Sequence, residues 1–136
     1  MPNKEDMWAR AGDAGRCALL ACATLLPLRR RDPDSSFDAL TAILVSSAIS
    51  KAVKAFWREP RPNGEDDKSF PSQHAAECFA AAVCLSGGER DGLATRAVAA
   101  AGAVAATRVL ARKHHVLDVI AGAAIGISAG SLKPRG

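Results

Sequence analysis

Apolar residues gather in five charge-free runs, at 17–28, 39–50, 78–88, 97–107 and 119–132. Polar and helix-breaking residues separate them, and nothing alternates at period two for long enough to suggest a strand. The pattern predicts five helices, at about 14–28, 36–57, 72–87, 93–110 and 114–132. Residues 1–13 read as a polar, exposed tail, and residues 14–136 as one helical domain. The first helix is expected to stop near Pro27 and the Arg29–Arg31 cluster. Asp32, Ser35 and Ser36 offer N-cap side chains for the second. Pro60 and Pro62 end that second helix, because proline denies the backbone its helical hydrogen bonds. Residues 58–71 then form a polar loop. Gly87 and Gly88 stop the third helix, and Pro134 ends the ordered chain.

No run reaches the roughly 18 apolar residues of an unambiguous membrane span. Five such runs within 136 residues are nevertheless too many for an ordinary soluble domain. Composition leaves two architectures: an alanine-rich bundle in water, or a bundle of short membrane helices with charged ends. With 4% aromatics and no tyrosine, a β-sandwich or barrel is excluded, and so is a base-stacking nucleic-acid binder. Cys17, Cys22, Cys78 and Cys84 lie inside apolar runs without a C-x-x-C pair and read as small buried residues. The net charge of +4 matters less than where the cations sit.

In the fifth helix His114, Asp118, Gly122, Gly126 and Gly130 recur every four residues and share one face. Glycines in a helix cost about 1 kcal/mol each against alanine, so a ladder of them implies another backbone pressed close. The small-residue stripe Ala94, Ala97, Ala101 and Ala105 of the fourth helix is the expected partner. His114 and Asp118 then point into the bundle.

Three polar clusters fall at helix ends: Lys54 with Arg61, Ser72-Gln73-His74, and Arg108 with His114 and Asp118. If the helices alternate in direction, all three meet at one end, around the N-terminus of the third helix. Several fixed cations beside free backbone N–H groups suit a phosphoryl group. Asp118, one turn from His114, is spaced to hold that imidazole in one tautomer, the arrangement of an oriented nucleophile. His74 suits a general acid. Glu77, one turn further on, reads as a solvated side chain.

These residues resemble a known signature. K-x6-R-P at 54–62, P-S-x-H at 71–74 and T-R-x5-H-x3-D at 107–118 resemble the three-part motif of the type 2 phosphatidic acid phosphatase (PAP2) superfamily. The resemblance implies an all-α, PAP2/haloperoxidase-like core of about five helices, and with the glycine ladder it points to a membrane-embedded bundle. It implies a hydrolase acting on a lipid phosphate or prenyl (pyro)phosphate, without metal or other cofactor. Lys54, Arg61, Arg108, Ser72 and backbone groups near Gln73 would hold the phosphoryl oxygens. His114 would form a phosphohistidine, oriented by Asp118, and His74 would protonate the leaving group and later activate water. Gln73 stands where the commonest motif has glycine, Thr107 replaces serine, and the loop between Pro62 and Pro71 is short.

A soluble acid phosphatase, a vanadate-dependent haloperoxidase and a non-catalytic protein keeping only the fold are the alternatives. His115, Arg58, Arg112 and Lys113 read as rim residues, and Asp66 and Asp67 as solvated carboxylates. Trp8 and Trp57 read as interfacial anchors or ordinary packing. Arg29–Arg31, Arg90, Arg96, Lys133 and Arg135 would lie opposite the site, which places the site on the non-cytoplasmic face by the positive-inside rule.

Overall fold

The computed structural model describes residues 1–87 and 92–132. Their regular structure is five helices: α1 (Lys4–Arg29), α2 (Pro33–Phe56), α3 (Gln73–Ser86), α4 (Gly92–Leu110) and α5 (Val116–Ser131). Gly88, Arg90, Lys133, Pro134 and Arg135, which entered the expectations above, lie outside the described residues.

The largest departure is at the N-terminus. The polar stretch before Ala14 is helical from Lys4 onward, capped by the Asn3 side chain, which accepts from the Asp6 N–H at 2.7 Å. Glu5 and Asp6 in the first turn suit the positive end of the helix dipole. Pro27 does not end α1, which runs two residues further. Asp32 caps α2 through Ser35, three residues earlier than expected. Ser72 caps α3, and Gly87 closes it in the left-handed conformation at φ 57°.

α3 is the axis of the bundle, in contact with all four other helices. Its Ala75, Ala76, Cys78, Ala80, Ala81 and Ala82 are fully buried. Alanine on nearly every side lets four neighbours approach one short helix, and Leu19, Ile43 and Val104 fill the remaining core. The glycine ladder of α5 packs on α3, not on α4. A Cβ at Gly126 would run into the Ala76 carbonyl and lie 2.9 Å from the Ala80 nitrogen; at Gly130 it would lie 3.0 Å from the Ala80 carbonyl. The expected partner stripe on α4 divides instead: Ala97 and Ala101 are buried in the core shared with α1, α2 and α3, while Ala105 packs with Ala75 of α3 and Val119 of α5.

The outer surface settles the choice that composition left open. Phe37, Leu117 and Ile120 are 70%, 73% and 57% exposed, and Leu25, Leu44, Val98 and Ile127 also face outward. Cys17 and Cys22 join this outward face, contrary to their expected burial, and none of the four cysteines is in a disulfide. α1, α2 and α4 are long and apolar enough to cross a membrane. At 1.5 Å per residue, the 19 residues of α4 span about 28 Å, close to the thickness of a bilayer's hydrocarbon core. An apolar exterior of this kind belongs in lipid, and the chain is a membrane protein.

Candidate active site

The C-terminal ends of α2 and α4 meet the N-terminal ends of α3 and α5 at one end of the bundle. A cavity of about 190 Å³ opens there, lined by Arg16, Lys54, Arg61, Gln73, His74, Arg108 and His114. Six of the eight residues expected at the site thus share one cavity. Ser72 and Asp118 lie behind its wall.

His114 sits in the short α4–α5 connection. This turns through Arg112 at φ 54° and is pinned by N–H donations from Lys113 and His114 to the Arg108 carbonyl, at 3.0 and 3.3 Å. Its Nδ1 lies 2.6 Å from the Ser69 carbonyl oxygen. A carbonyl can only accept, so Nδ1 carries the proton and Nε2 keeps a lone pair. Burial, helped by the charges of Arg61, Lys54 and Arg108, pushes the ring down from 6.5 to about 3, against the pull of the Ser69 bond. His114 is a neutral imidazole at physiological pH.

Asp118 does not orient His114 by direct contact, as its spacing had suggested; Oδ2 stands 4.0 Å from Nδ1. The link passes through Ser69, whose hydroxyl donates to Asp118 Oδ2 while its carbonyl accepts from His114. Asp118 Oδ2 also takes the His115 N–H at 2.7 Å and lies 3.0 Å from the His115 ring Nδ1. His115 is therefore more than a rim residue: it is the N-cap of α5. With Glu59 it forms the metal-ligand-like grouping Glu59, His115 and Asp118, which lies outside the cavity lining and interlocks the loop with α5.

The cations are held at different depths. The Lys54 ammonium donates to the Lys68 and Pro71 carbonyls. Arg61 pairs with Asp66 at 2.6 Å, so Asp66 is not merely solvated, and it also reaches the Lys113 carbonyl at 3.3 Å. Arg112 and Lys113 fasten the rim through Pro62 and Glu65, and Arg58 does so through Asp67. Arg108 is buried. Its Nη1 reaches Asp13 at 3.3 Å, whereas its Nε has no hydrogen-bond partner among the described residues.

The Ser72 hydroxyl accepts from the Ala75 N–H at 3.3 Å, and the Ser72 N–H donates to the Asp118 carbonyl at 2.9 Å. This residue ties α3 to α5. Gln73 reaches Ser47 at 3.0 Å and Glu77 at 2.8 Å. Glu77, expected in solvent, is 2% exposed and paired with Arg16. The amide that replaces the usual glycine is thus built into a polar network on the cavity wall.

Asp13 falls in the stretch expected to be a tail, and Arg16 falls inside the expected first helix but outside every motif. A signal was present. Gly12, Leu19 and Ala23 are buried at spacings of seven and four, the inward stripe of a helix that begins before the apolar run. Ser69 carried no signal, since a single loop serine matches no motif and its contact to His114 is made by its backbone carbonyl.

Helices that gather cations and two imidazoles at one end of an apolar bundle define an anion-handling membrane protein. The model of the PAP2 superfamily matches residues 63–133, and the chain belongs to that superfamily. The crystal structure of Aquifex aeolicus LpxE superposes with a TM-score of 0.79 at 25% identity, covering 96% of this chain and 84% of that one. A lipid A 1-phosphatase from Porphyromonas gingivalis is 31% identical over 98 residues. That match covers 70% of this chain and 22% of the relative, so the chain spans under a quarter of that protein's length.

Proposed function

We propose that this chain is a metal-independent phosphatase that hydrolyses a lipid phosphate or prenyl (pyro)phosphate through a phosphohistidine on His114. The observation that carries the reading is the cavity itself. It joins Lys54, Arg61 and Arg108 to two imidazoles, and the buried Arg108 Nε has no acceptor among the described residues. A phosphoryl oxygen would satisfy that donor, which is costly to leave unpaired.

The His114 Nε2 lone pair attacks phosphorus as the bond to the leaving oxygen breaks. Lys54, Arg61 and Arg108 hold the non-bridging oxygens and offset the charge gathered on them. The N–H groups at the start of α3, near Gln73, add donors at the positive end of a helix. His74 gives a proton to the leaving oxygen. It then takes one from the water that attacks phosphorus; the new phosphorus–oxygen bond forms as the bond to His114 Nε2 breaks, releasing inorganic phosphate and restoring both histidines. Asp118 and Ser69 keep the His114 Nδ1–H pointed away from the substrate.

A lipid substrate follows from the apolar exterior, and a lipid A 1-phosphatase among the relatives makes glycolipid 1-phosphates a first choice. The site faces away from the cytoplasm in this reading, because Arg29–Arg31 and Arg96 gather at the other end of the bundle. The test is phosphate release in detergent from phosphatidate, lipid A, and prenyl mono- and diphosphates. Release should survive EDTA, fall with vanadate and vanish in His114→Ala. Loss in EDTA, or retention without His114, would overturn the mechanism.

A further inference from the structure

We infer that Asp13, on α1, is a positioning residue for His74, aiming the imidazole and favouring the protonated ring that gives its proton to the leaving oxygen. The inference rests on the phosphatase reading above. It adds a residue that lies outside the three motifs and outside the residues matched by the superfamily.

The geometry begins with Gly12. A Cβ there would run into the Thr107 hydroxyl and lie 3.2 Å from Arg108 Cδ, so only glycine lets α1 come this close to the end of α4. The next residue, Asp13, is thereby delivered to the edge of the cavity. Its Oδ1 lies 2.7 Å from His74 Nε2 and 3.3 Å from Arg108 Nη1. Among the described residues no carboxylate lines the cavity, whereas Arg16, Lys54, Arg61 and Arg108 do. Burial, together with the charges of Arg108 and Arg16, pulls His74 below its ordinary range and so opposes the protonated form that a general acid requires. Asp13 is the carboxylate that contacts His74 among the described residues, and it meets Nε2 directly. A carboxylate accepting from Nε2–H fixes the ring plane and favours the imidazolium, leaving Nδ1 as the second proton-bearing nitrogen.

Because Asp13 acts through His74, its effect should depend on how much the leaving group needs a proton. An alkoxide leaves poorly without one; a nitrophenolate leaves readily. The experiment compares dodecyl phosphate with 4-dodecyl-2-nitrophenyl phosphate, matched in tail, in mixed micelles with the full chain. The quantity read is kcat/KM, which reports steps up to departure of the leaving group and not the later hydrolysis of the phosphoenzyme. Asp13→Asn should lose at least about tenfold more kcat/KM on the alkyl than on the aryl ester, the scale of a general-acid contribution. Asp13→Glu should restore part of the loss. Inhibition by vanadate should be as strong as in the wild type or stronger, since a negative charge beside the anion site has gone. Equal losses on both esters, or vanadate inhibition weakened in parallel, would show a structural role and overturn the inference. Faster alkyl-ester turnover in Asp13→Asn would overturn it too, making the carboxylate an obstruction. A wild-type protein that hydrolyses neither ester, or one that keeps its activity in His114→Ala, would instead overturn the phosphatase reading on which this rests.

Discussion

The α3–α5 contact makes the same substitution, glycine to alanine, have opposite signs at two helical positions. At Gly126 the added methyl meets the Ala76 carbonyl oxygen and lies 2.9 Å from the Ala80 nitrogen, both backbone atoms that no rotamer change can move. Relief requires α3 to shift, and overpacking of this kind costs about 1–3 kcal/mol. Clashes with backbone on both counts put the cost in the upper part of that range, about 2–3 kcal/mol, and helix propensity returns about 1 kcal/mol, so Gly126→Ala should lose roughly 1–2 kcal/mol net. At Gly102, in α4, a Cβ meets nothing within 4 Å, so Gly102→Ala keeps the propensity gain of about 1 kcal/mol. Unfolding of the purified protein in detergent, followed by circular dichroism against a denaturant, measures both. Gly126→Ala should also lose activity, because α3 carries His74 while α5 begins beside His114. If the two variants shift stability in the same direction, or Gly126→Ala leaves it unchanged, the proposed close packing of α5 on α3 is wrong.

Removing the Ser69 hydroxyl in Ser69→Ala strips buried Asp118 of a donor while keeping the backbone contact to His114. A loss of about 1.5–3 kcal/mol in unfolding free energy, with lower kcat, is expected, and an unchanged stability would argue against the link. His114 gives a pH signature. A histidine of the unfolded chain titrates near 6.5 and His114 in the fold near 3, so between these values the unfolded state binds the extra proton. Its contribution to stability is therefore present above about pH 6.5 and is lost as pH falls toward 3; melting temperature against pH should be flatter over that window in His114→Asn. Vanadate at a hundred times its dissociation constant should stabilise the wild type by about 2.7 kcal/mol. Arg108→Ala should lose most of that shift at the same vanadate concentration, as read by thermal melting, and an equal shift would remove Arg108 from the anion site.

Much of this molecule was legible in its sequence because strong local signals coincide with the elements. Charge-free runs, Pro60, Gly87 and the Asp32 and Ser72 caps delimit four of the helices closely. Helical periodicity also placed His114, Asp118 and the glycines on one inward face. It could not name the helix facing that ladder. α3 and α4 are both rich in alanine, and topology made α3 the central helix. Asp118 and His114 show a second limit. Their four-residue spacing is right for a contact, yet α5 begins only at Val116, so His114 lies in the connection and turns to the Ser69 carbonyl instead. Backbone acceptors leave no mark in a sequence. The N-terminal stretch failed for a different reason: the first turns of α1, which present Asp13 and Arg16 to a polar cavity, precede the apolar run by which the helix is recognised.

The central chemical claim is a covalent phosphohistidine on His114, and rapid-quench labelling tests it most directly. With a phosphorus-labelled nitrophenyl lipid phosphate, which needs little help from a general acid, His74→Ala should accumulate label because the base for the second step is missing. The label should survive alkali, be lost in acid and map to His114, and it should be absent from His74→Ala/His114→Ala. Turnover of the substrate by the wild type with no label in either protein, or label that persists without His114, would contradict it.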